Sequence, residues 1–440
     1  MSLALKADAE PVTVGRRMHA LMAELYPICR SITGDGLRRT LAELGKGLPM
    51  EIHEVPTGTP VLDWTVPKEW NIRDGYIRDP KGRKVVDFQD SNLHVVNYSV
   101  PVHRHLSLAE LKDHVFTLPD QPTLVPYRTS YYEETWGFCM AHETLEGLGD
   151  GEYEVCIDAT LGEGSLTYGE LVLPGESAEE VLISCHCCHP SLCNDNLSGM
   201  AVATFLAREL HNRRRKLTYR FLFIPGTIGS ITWLARNEET VGRIRHGLVL
   251  SCLGDGGPFH YKKSRRGDAE IDRVMEHVLT REQERGNAVE DFVPYGYDER
   301  QYCSPGFDLP VGSLSRTPHG RFPEYHTSAD DLAFVRPEHL ERSLEACLQA
   351  VSVLEGNRAF RNTHPKGEPQ LGRRGLMGGS GGARTKSEWH MSLLWTLNLS
   401  DGTHDLLSIA DRSGIGFEVI QAAATELERH GLLAPVEEES

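Results

Sequence analysis

The pattern of apolar and polar positions changes character along the chain. Near the N-terminus, "VGRRMHALMAELYP" and "TGDGLRRTLAELGKGLP" have apolar residues at helical spacing, which predicts two helices between 14 and 46. From 50 to 125 the chain instead has short alternating runs, such as "KVVDF" and "LHVVNYSV", separated by Pro, Gly and Asp. Alternation with a period of two is typical of strands, so residues 50–125 are predicted to form an inserted β-rich domain.

Beyond residue 175, short apolar runs alternate with helical segments. The runs "EVLISCH", "YRFLFIPG", "GLVLSCLG" and "LPVGSL" have the length and composition of buried strands, and helical patterns lie between them. Strands that alternate with helices predict an α/β fold, with a mostly parallel sheet and helices on both faces. We assign residues 1–49 and 126–365 to this main domain.

The C-terminal part has a different composition. Residues 366–386, "KGEPQLGRRGLMGGSGGARTK", are rich in glycine and basic residues and are predicted to be a linker. Residues 387–440 contain three short helical patterns, with Asp401 and Asp411 at the turns before the second and third. This spacing predicts a C-terminal winged-helix domain.

The charge of the chain bears on its partners. The 440 residues include 63 acidic and 46 basic ones, a formal charge of -17. Residues 387–440 hold ten acidic residues against only Arg412 and Arg429, a net charge of -8. A surface of this sign repels phosphate, so we expect no nucleic-acid partner and instead expect the winged helix to support a homo-oligomer.

The composition also bears on the location of the protein. No run of about 18 apolar residues occurs, which argues against a membrane partner. The first twenty residues have no apolar segment after a basic start, so we expect a soluble cytoplasmic protein. In that compartment the ten cysteines are expected to be reduced.

The stretch "ISCHCCHPSLCNDNLSG" contains four cysteines, two histidines and one aspartate. Cys185 and Cys188 form a C-x-x-C, but a zinc ribbon needs a second such pair, which is missing. A thioredoxin-type motif begins a helix, whereas His189 and Pro190 follow here. We therefore interpret these cysteines as buried, reduced residues without disulfide bonds.

An imidazole and carboxylate site explains the same stretch differently. His186 ends a predicted strand and Asp195 lies between two asparagines before a helix, at the sheet edge where α/β proteins bind ligands. Asp255 follows another strand, and His326 follows the last one, with Asp330 nearby as a hydrogen-bond acceptor. Histidine and aspartate are zinc ligands, so these four strand-end residues predict a site for one or two zinc ions, bridged by Asp195.

The order of these motifs resembles the zinc aminopeptidases of the bridged two-zinc exopeptidase clan. "NDNLSG" is similar to the motif at the bridging aspartate, and "EYHTSADD" to the final Y-H-T-x-x-D. Over nearly its full length, the chain resembles bacterial aminopeptidase-like proteins that have an inserted domain and a C-terminal winged helix; "PTGTPVLDWTVPKEWNIRD" and "YGYDERQYCSPGF" are similar to that group. The resemblance implies a zinc-exopeptidase-like fold and hydrolysis of a small peptide-like or amide substrate beside a free amino group.

The chain departs from that family at two motifs. The first-ligand motif H-x-D reads His-Cys-Cys at 186–188, and the Glu pair that supplies a base and a ligand is replaced by Pro-Gly-Thr at 225–227. His189 is the predicted substitute ligand, as an alternative to or beside His186. Glu299 is the predicted general base, because it lies in the segment that approaches the substrate in similar enzymes.

Three further residues are predicted to serve the substrate side of the site. They are Asp298, which would orient a ligating histidine, Tyr302, which would donate to a developing oxyanion, and Glu324, a second acid. Two other functions stay open at this point: a metal-containing scaffold that binds a peptide-like or amino-sugar ligand without hydrolysis, and a DNA-binding regulator, which the acidic winged helix disfavours.

Overall fold

The computed structural model describes residues 12–281, 286–376 and 383–436, with side chains from 388 onward in the last range. The chain divides into two compact units, Met1–Cys347 and Leu348–Ser440. They are described separately below.

An eight-stranded sheet organises the first unit. Its strands are, in spatial order, Glu51–Pro56, Ser165–Leu173, Thr218–Ile224, Glu180–His186, Ile244–Leu250, Val311–Ser315, His260–Lys262 and Ala288–Glu290. The third to sixth of these pair in parallel, and antiparallel pairs flank them. The predicted α/β fold with a mostly parallel sheet is therefore confirmed. Every residue of Glu180–His186 is buried, as a central parallel strand requires.

The helices of this unit include the two predicted near the N-terminus. The first buries Met18, Leu21, Met22 and Leu25, which share one face because they are three or four positions apart. The helices are Val14–Leu25, Asp35–Leu44, Leu108–Lys112, His142–Glu146, Gly199–His211, Ile228–Asn237, Glu270–Arg281, Glu299–Tyr302 and Pro337–Gly356, the last of which continues into the second unit. Of the helices in the described part of the chain, none combines the length and apolar character needed to cross a bilayer.

The β-rich insert has different boundaries from the predicted 50–125. Its four-stranded antiparallel sheet contains Lys84–Asp87, Glu69–Arg78, Glu152–Gly162 and Val102–Ser107, in that order. Glu51–Pro56 belongs to the large sheet instead, where it pairs with Ser165–Leu173. Local alternation predicts that a strand exists, whereas its partner depends on contacts distant in sequence. The described residues of this unit also form two short pairs, Pro60–Val61 with Trp64–Thr65 and Val115–Phe116 with Phe138–Cys139.

The second unit is a winged helix, as predicted. Its helices are Ala383–Leu399, Leu406–Ser413 and Phe417–Arg429. Its three-stranded sheet has the order Asp401–Asp405, Ala359–Asn362, Leu433–Pro435. The central strand precedes the predicted start at 387, so the predicted linker 366–386 lies within the sequence of this module, and its residues 377–382 fall outside the described ranges.

Candidate metal centre

The candidate site lies where Glu180–His186 leaves the large sheet. His186 is the last residue of that strand and is fully buried. The chain continues through His189 into the irregular turn Cys193–Ser198, in which Asp195 has non-helical backbone angles, φ -111° and ψ 81°. A single continuous stretch therefore brings two imidazoles and a carboxylate to the carboxyl edge of the sheet.

Three imidazoles contact the carboxylate of Asp195. His186 Nε2 lies 2.8 Å from Oδ1, while His189 Nδ1 and His326 Nε2 lie 3.1 and 3.0 Å from Oδ2. One ligand atom each from His186, His189 and Asp195 lies within 4.8 Å of the others, and all three residues are buried. Imidazole nitrogens and a carboxylate oxygen are the donors that zinc takes in proteins, so the residues present fit a zinc ion.

Burial and the contacts among these side chains set their protonation states. Burial lowers the pKa of His186 to about 4. Burial disfavours the charged form of Asp195, but the neighbouring His189 and His186 outweigh it and hold the pKa of this carboxyl well below its usual range. Asp195 is therefore an anion and His186 is neutral near pH 7, as a metal ligand must be. Burial disfavours the charged form of His189, but the Asp195 carboxylate outweighs it and raises the pKa of this imidazole, so a bound metal ion would have to displace its proton.

The asparagines and Asp330 fix the turn that carries Asp195. The carboxylate of Asp330 accepts hydrogen bonds from the backbone N–H groups of Asn194, at 2.6 Å, and Asp195, at 3.0 Å. The amide of Asn196 donates to the carbonyls of His186 and Leu250, at 3.2 and 3.0 Å. These bonds tie the turn to the strand end and orient the Asp195 carboxylate.

Arg30 supports the site from the N-terminal segment, and sequence reasoning missed it. Its side chain is fully buried, and its Nη1 and Nε donate to the carbonyl of His189 and to Thr40 Oγ1, both at 3.0 Å. Nη2 donates to the carbonyl of Leu25. Burial lowers the pKa of Arg30 to about 10. A buried cation that bonds to three neutral oxygens is expensive to keep, which indicates a positioning role toward His189.

Tyr297 is a second residue that sequence reasoning missed. Its ring centroid lies 3.9 Å from that of His186, and its hydroxyl oxygen lies 3.3 Å from His189 Nε2 and 3.7 Å from Cys188 Sγ. A Cβ atom at Gly226 would lie 2.0 Å from the Tyr297 ring. The tyrosine therefore occupies the space beside position 226, where the resembling family carries its glutamates. The signal was present in "YGYDERQYC", but of the three tyrosines in this stretch only Tyr302 was selected, beside Asp298 and Glu299.

The structure separates the two predicted acids Asp298 and Glu299. The Glu299 carboxylate forms an ion pair with Lys262 Nζ at 2.5 Å and accepts from the backbone N–H of Tyr297 at 3.1 Å. Asp298 is fully buried; its Oδ1 accepts from Ser230 Oγ at 2.8 Å, and its Oδ2 has no hydrogen-bond partner among the described residues. Burial raises the pKa of Asp298 to about 7. Glu299 thus positions the backbone of Tyr297, whereas Asp298 keeps one carboxylate oxygen, Oδ2, without a hydrogen bond among the described residues.

Asp255 does not join the group that contacts Asp195. It accepts hydrogen bonds from Asn194 Nδ2 at 2.8 Å and from Thr317 Oγ1 and the Gly257 N–H, each at 2.7 Å. Through these hydrogen bonds the Asp255 carboxylate stabilises the turn that carries Asp195. The sequence instead predicted Asp255 as a ligand of a second ion.

Tyr302 and Glu324 also lie apart from the histidines in their contacts. The Tyr302 hydroxyl is within the core, 2.9 Å from Ser184 Oγ. Glu324 is half-buried, and its carbonyl accepts from the backbone N–H of Thr327 at 3.1 Å.

All ten cysteines are unpaired, and the four in "ISCHCCHPSLCNDNLSG", at 185, 187, 188 and 193, are buried.

Two family models match the chain, one for each part. The model "Domain of unknown function (DUF4910)" matches residues 19–357, and a winged helix-turn-helix model matches 358–435. A relative from Clostridium acetobutylicum, named "Putative polysaccharide biosynthesis protein with aminopeptidase-like domain", is 50% identical over 421 residues, which cover 95% of this chain and 96% of the relative.

Similarity to solved structures identifies the fold of the chain. A structure from Clostridium acetobutylicum, described as a "putative peptidase", is 49% identical, has a TM-score of 0.91 and covers 96% of each chain. BSAP, a zinc aminopeptidase from Bacillus subtilis, is 12% identical, with a TM-score of 0.56 over 79% of this chain and 96% of its own. At that identity the likeness concerns the fold alone, and it confirms the predicted aminopeptidase-like architecture. The chain therefore belongs to the DUF4910 family, with an aminopeptidase-like fold followed by a winged helix-turn-helix domain.

Proposed function

We propose that the protein is a zinc-dependent amide or peptide hydrolase that acts beside a free amino group. One observation carries the proposal: on an aminopeptidase-like fold, the buried Asp195 carboxylate gathers three imidazoles, those of His186, His189 and His326. His186, His189 and Asp195, with one ligand atom each within 4.8 Å of the others, would hold the ion. His326, whose Nε2 lies 3.0 Å from Asp195 Oδ2, would join them. Bound there, zinc would supply a water molecule with a pKa of roughly 7 and polarise the scissile carbonyl.

The surrounding residues hold this group in place and limit access of water to it. Arg30 fixes the His189 carbonyl. The ring of Tyr127 meets those of His189 and His326 edge-on, at 5.1 Å each, and Tyr325 stacks on His326 at 3.9 Å. Rings that pack against the imidazoles lower the local dielectric, and this strengthens charge interactions within the site.

Proton transfer requires a carboxylate other than the missing glutamate. Gly226 has no carboxylate, and the charge of the Glu299 carboxylate is balanced by its ion pair with Lys262. Asp298 Oδ2 has no hydrogen-bond partner among the described residues, and the pKa of Asp298, about 7, lets it take and release a proton near neutral pH. We therefore assign proton transfer to Asp298 Oδ2 in place of Glu299.

Metal analysis and a substrate screen test the proposal together. Purified protein should contain zinc and hydrolyse members of a panel of aminoacyl amides, short peptides and acylated amino sugars. Asp195→Ala should lose both zinc and turnover, because it removes the carboxylate that all three imidazoles contact. Glu24→Gln, at an exposed residue of the first helix, is the control and should keep both. Full zinc content in Asp195→Ala contradicts the ligand assignment.

A non-catalytic scaffold is the second candidate. It is favoured by Gly226, since the ring of Tyr297 fills the space of an acid there. A relative is named for polysaccharide biosynthesis, and the ligand we propose for such a scaffold is a peptide-like or amino-sugar molecule. Zinc-loaded protein that binds members of the panel but hydrolyses none would favour this candidate.

A further inference from the structure

A cavity of about 650 Å³ lies in the winged-helix unit. Residues of the helix Ala383–Leu399, of the segment 362–369 and of the turn at 400–401 line it, and we call it the helix cleft. Small-molecule sites have volumes of roughly 300–1,000 Å³, so the helix cleft has the size of such a site. None of its described lining residues belongs to the candidate metal centre.

One wall of the helix cleft is an apolar face of the helix Ala383–Leu399. Met391, Leu394 and Trp395 are three and four positions apart, so their side chains lie on the same side of the helix. Met391 is 41% exposed, and Leu394 and Trp395 are half-buried. Adjacent apolar side chains that the fold leaves partly in solvent are typical of a binding surface.

The second wall of the helix cleft has a fixed backbone. It has the sequence "PKGEP", in which Pro365 and Pro369 each fix their own φ near -65°. At the start of this wall, Asn362 Nδ2 donates to the carbonyl of Leu397 at 2.8 Å, and Asn362 Oδ1 accepts from the N–H of His364 at 2.8 Å. The cleft is therefore preformed, and a ligand would lose little affinity to ordering of this wall.

The polar residues of the helix cleft indicate what it could bind. Ser400 lines the cleft, is 2% exposed, and its hydroxyl has no hydrogen-bond partner among the described residues. A buried hydroxyl without a partner is costly, and a ligand that bonds to it would remove that cost.

The charged residues of the helix cleft are acidic. Glu368 is exposed and has no ion pair with any described residue, whereas the carboxylate of Asp401 accepts from Thr403 and contacts His404. Of the described residues that line the cleft, none is basic. The lining therefore favours a positively charged ligand, and Glu368 is the acid that is available to it.

We propose that the helix cleft binds a small organic cation with a flat apolar body, its ammonium group at Glu368 and its body against Trp395. The apolar face supplies the buried area, and the face of an aromatic ring also attracts a cation. A second copy of the same face is a poorer occupant, because a symmetric pair would bring the acids of one copy against those of the other. This site is separate from the proposed hydrolytic centre, and its test does not depend on turnover.

Two probes of the same shape and opposite charge test the proposal. Tryptamine and indole-3-propionate share an indole ring and two methylenes, and they carry an ammonium and a carboxylate at neutral pH. Tryptamine should bind full-length, chelator-treated protein about tenfold more tightly by ligand-observed NMR, because the acids of the helix cleft attract one probe and repel the other. Equal affinity, tighter binding of indole-3-propionate, or binding of neither probe overturns the proposal.

Variants of the lining residues locate the bound probe. Glu368→Gln should weaken tryptamine about fivefold and remove the preference between the probes, and as an exposed residue it should leave the fold intact. Ser400→Ala should weaken both probes alike, because it removes the hydroxyl that can accept from the indole N–H. Glu418→Gln, at an exposed acid of the same unit outside the cleft, is the control and should leave binding unchanged.

Two outcomes would assign the helix cleft differently. If Glu368→Gln and Ser400→Ala both bind tryptamine as tightly as the wild type, the probe lies elsewhere and the proposal fails. If Met391→Glu lowers the mass of the assembly by light scattering while the wild type binds neither probe, the cleft is a contact between copies of the chain rather than a small-molecule site.

Discussion

A Cβ atom at Gly226 would lie 2.0 Å from Cε1 of Tyr297, so the glycine and the tyrosine are coupled by sterics. Gly226→Ala should therefore lower the free energy of unfolding by about 1–3 kcal/mol, the usual cost of overpacking. In the presence of Tyr297→Ala the same substitution should cost far less, because the ring that it meets is gone. Denaturant unfolding of both single variants and the double variant measures this coupling.

A matched control exists for the glycine substitution. Nothing lies within 4 Å of a Cβ atom at Gly242, so Gly242→Ala should leave stability nearly unchanged. If the effects of Gly226→Ala and Tyr297→Ala simply add, the two residues do not compete for the same space, and the explanation for the missing acid at 226 fails.

Arg30→Met should weaken metal binding although it lies far from the ligands in sequence. The variant keeps an unbranched side chain but loses the hydrogen bond to the His189 carbonyl. Loss of a group that orients a ligand typically costs 10–100-fold in metal affinity. Competition with a chelator of known zinc affinity measures the change. Arg39→Met, at an exposed arginine, is the control; equal affinity in the two variants would assign Arg30 to stability alone.

The sequence was informative about those parts of the site that are formed by residues close together in the chain. The contact between His186 and Asp195 could be predicted because strand ends and the N-D-N turn are short-range patterns. Arg30 could not be found in this way, because it is 159 residues from the carbonyl that it holds. Glu299 was assigned to catalysis from its place in a family-like segment. Its ion pair with Lys262 could not be inferred from that motif, because Lys262 lies 37 residues away in the strand His260–Lys262.

The insert shows the same limit at the level of the fold. Alternation in Glu51–Pro56 indicated a strand, but the choice between two sheets is made by its pairing with Ser165–Leu173. Register and partner depend on which faces are buried after the chain has folded back. The parallel core was predictable because its strands are continuous apolar runs, which need no partner information.

Asp298→Asn should make the protein more stable at neutral pH and less active. Burial raises the pKa of Asp298 from 3.8 to about 7, so the folded state binds more protons than the unfolded state between these values. The stability contribution of the protonated acid is full below pH 4 and is lost as the pH rises through 7. A pKa change of this size is worth on the order of 4 kcal/mol, so the variant should gain stability over the wild type as the pH increases from 4 to 8.

Activity and zinc content complete the test of Asp298. A general base contributes typically 10²–10⁴-fold, and turnover of Asp298→Asn should fall by that order with zinc retained. Glu299→Gln is the comparison variant. It breaks the ion pair with Lys262, so its main effect should be a lower free energy of unfolding rather than a lower turnover. Should Glu299→Gln lose turnover at unchanged stability while Asp298→Asn keeps it, the two roles are reversed.

The winged helix should mediate assembly rather than DNA binding. Its module extends over residues 358–435, and residues 387–440 carry a net charge of -8, which opposes approach to phosphate. A chain shortened to residues 1–357 should keep the His186 group and its zinc, since all four proposed ligands lie before the cut. Light scattering should show a smaller assembly than for the full chain. An unchanged number of protomers per assembly in the shortened chain would contradict this assignment. Tight DNA binding by the full chain that weakens steeply with salt would also contradict it, because counterion release is the signature of phosphate contacts.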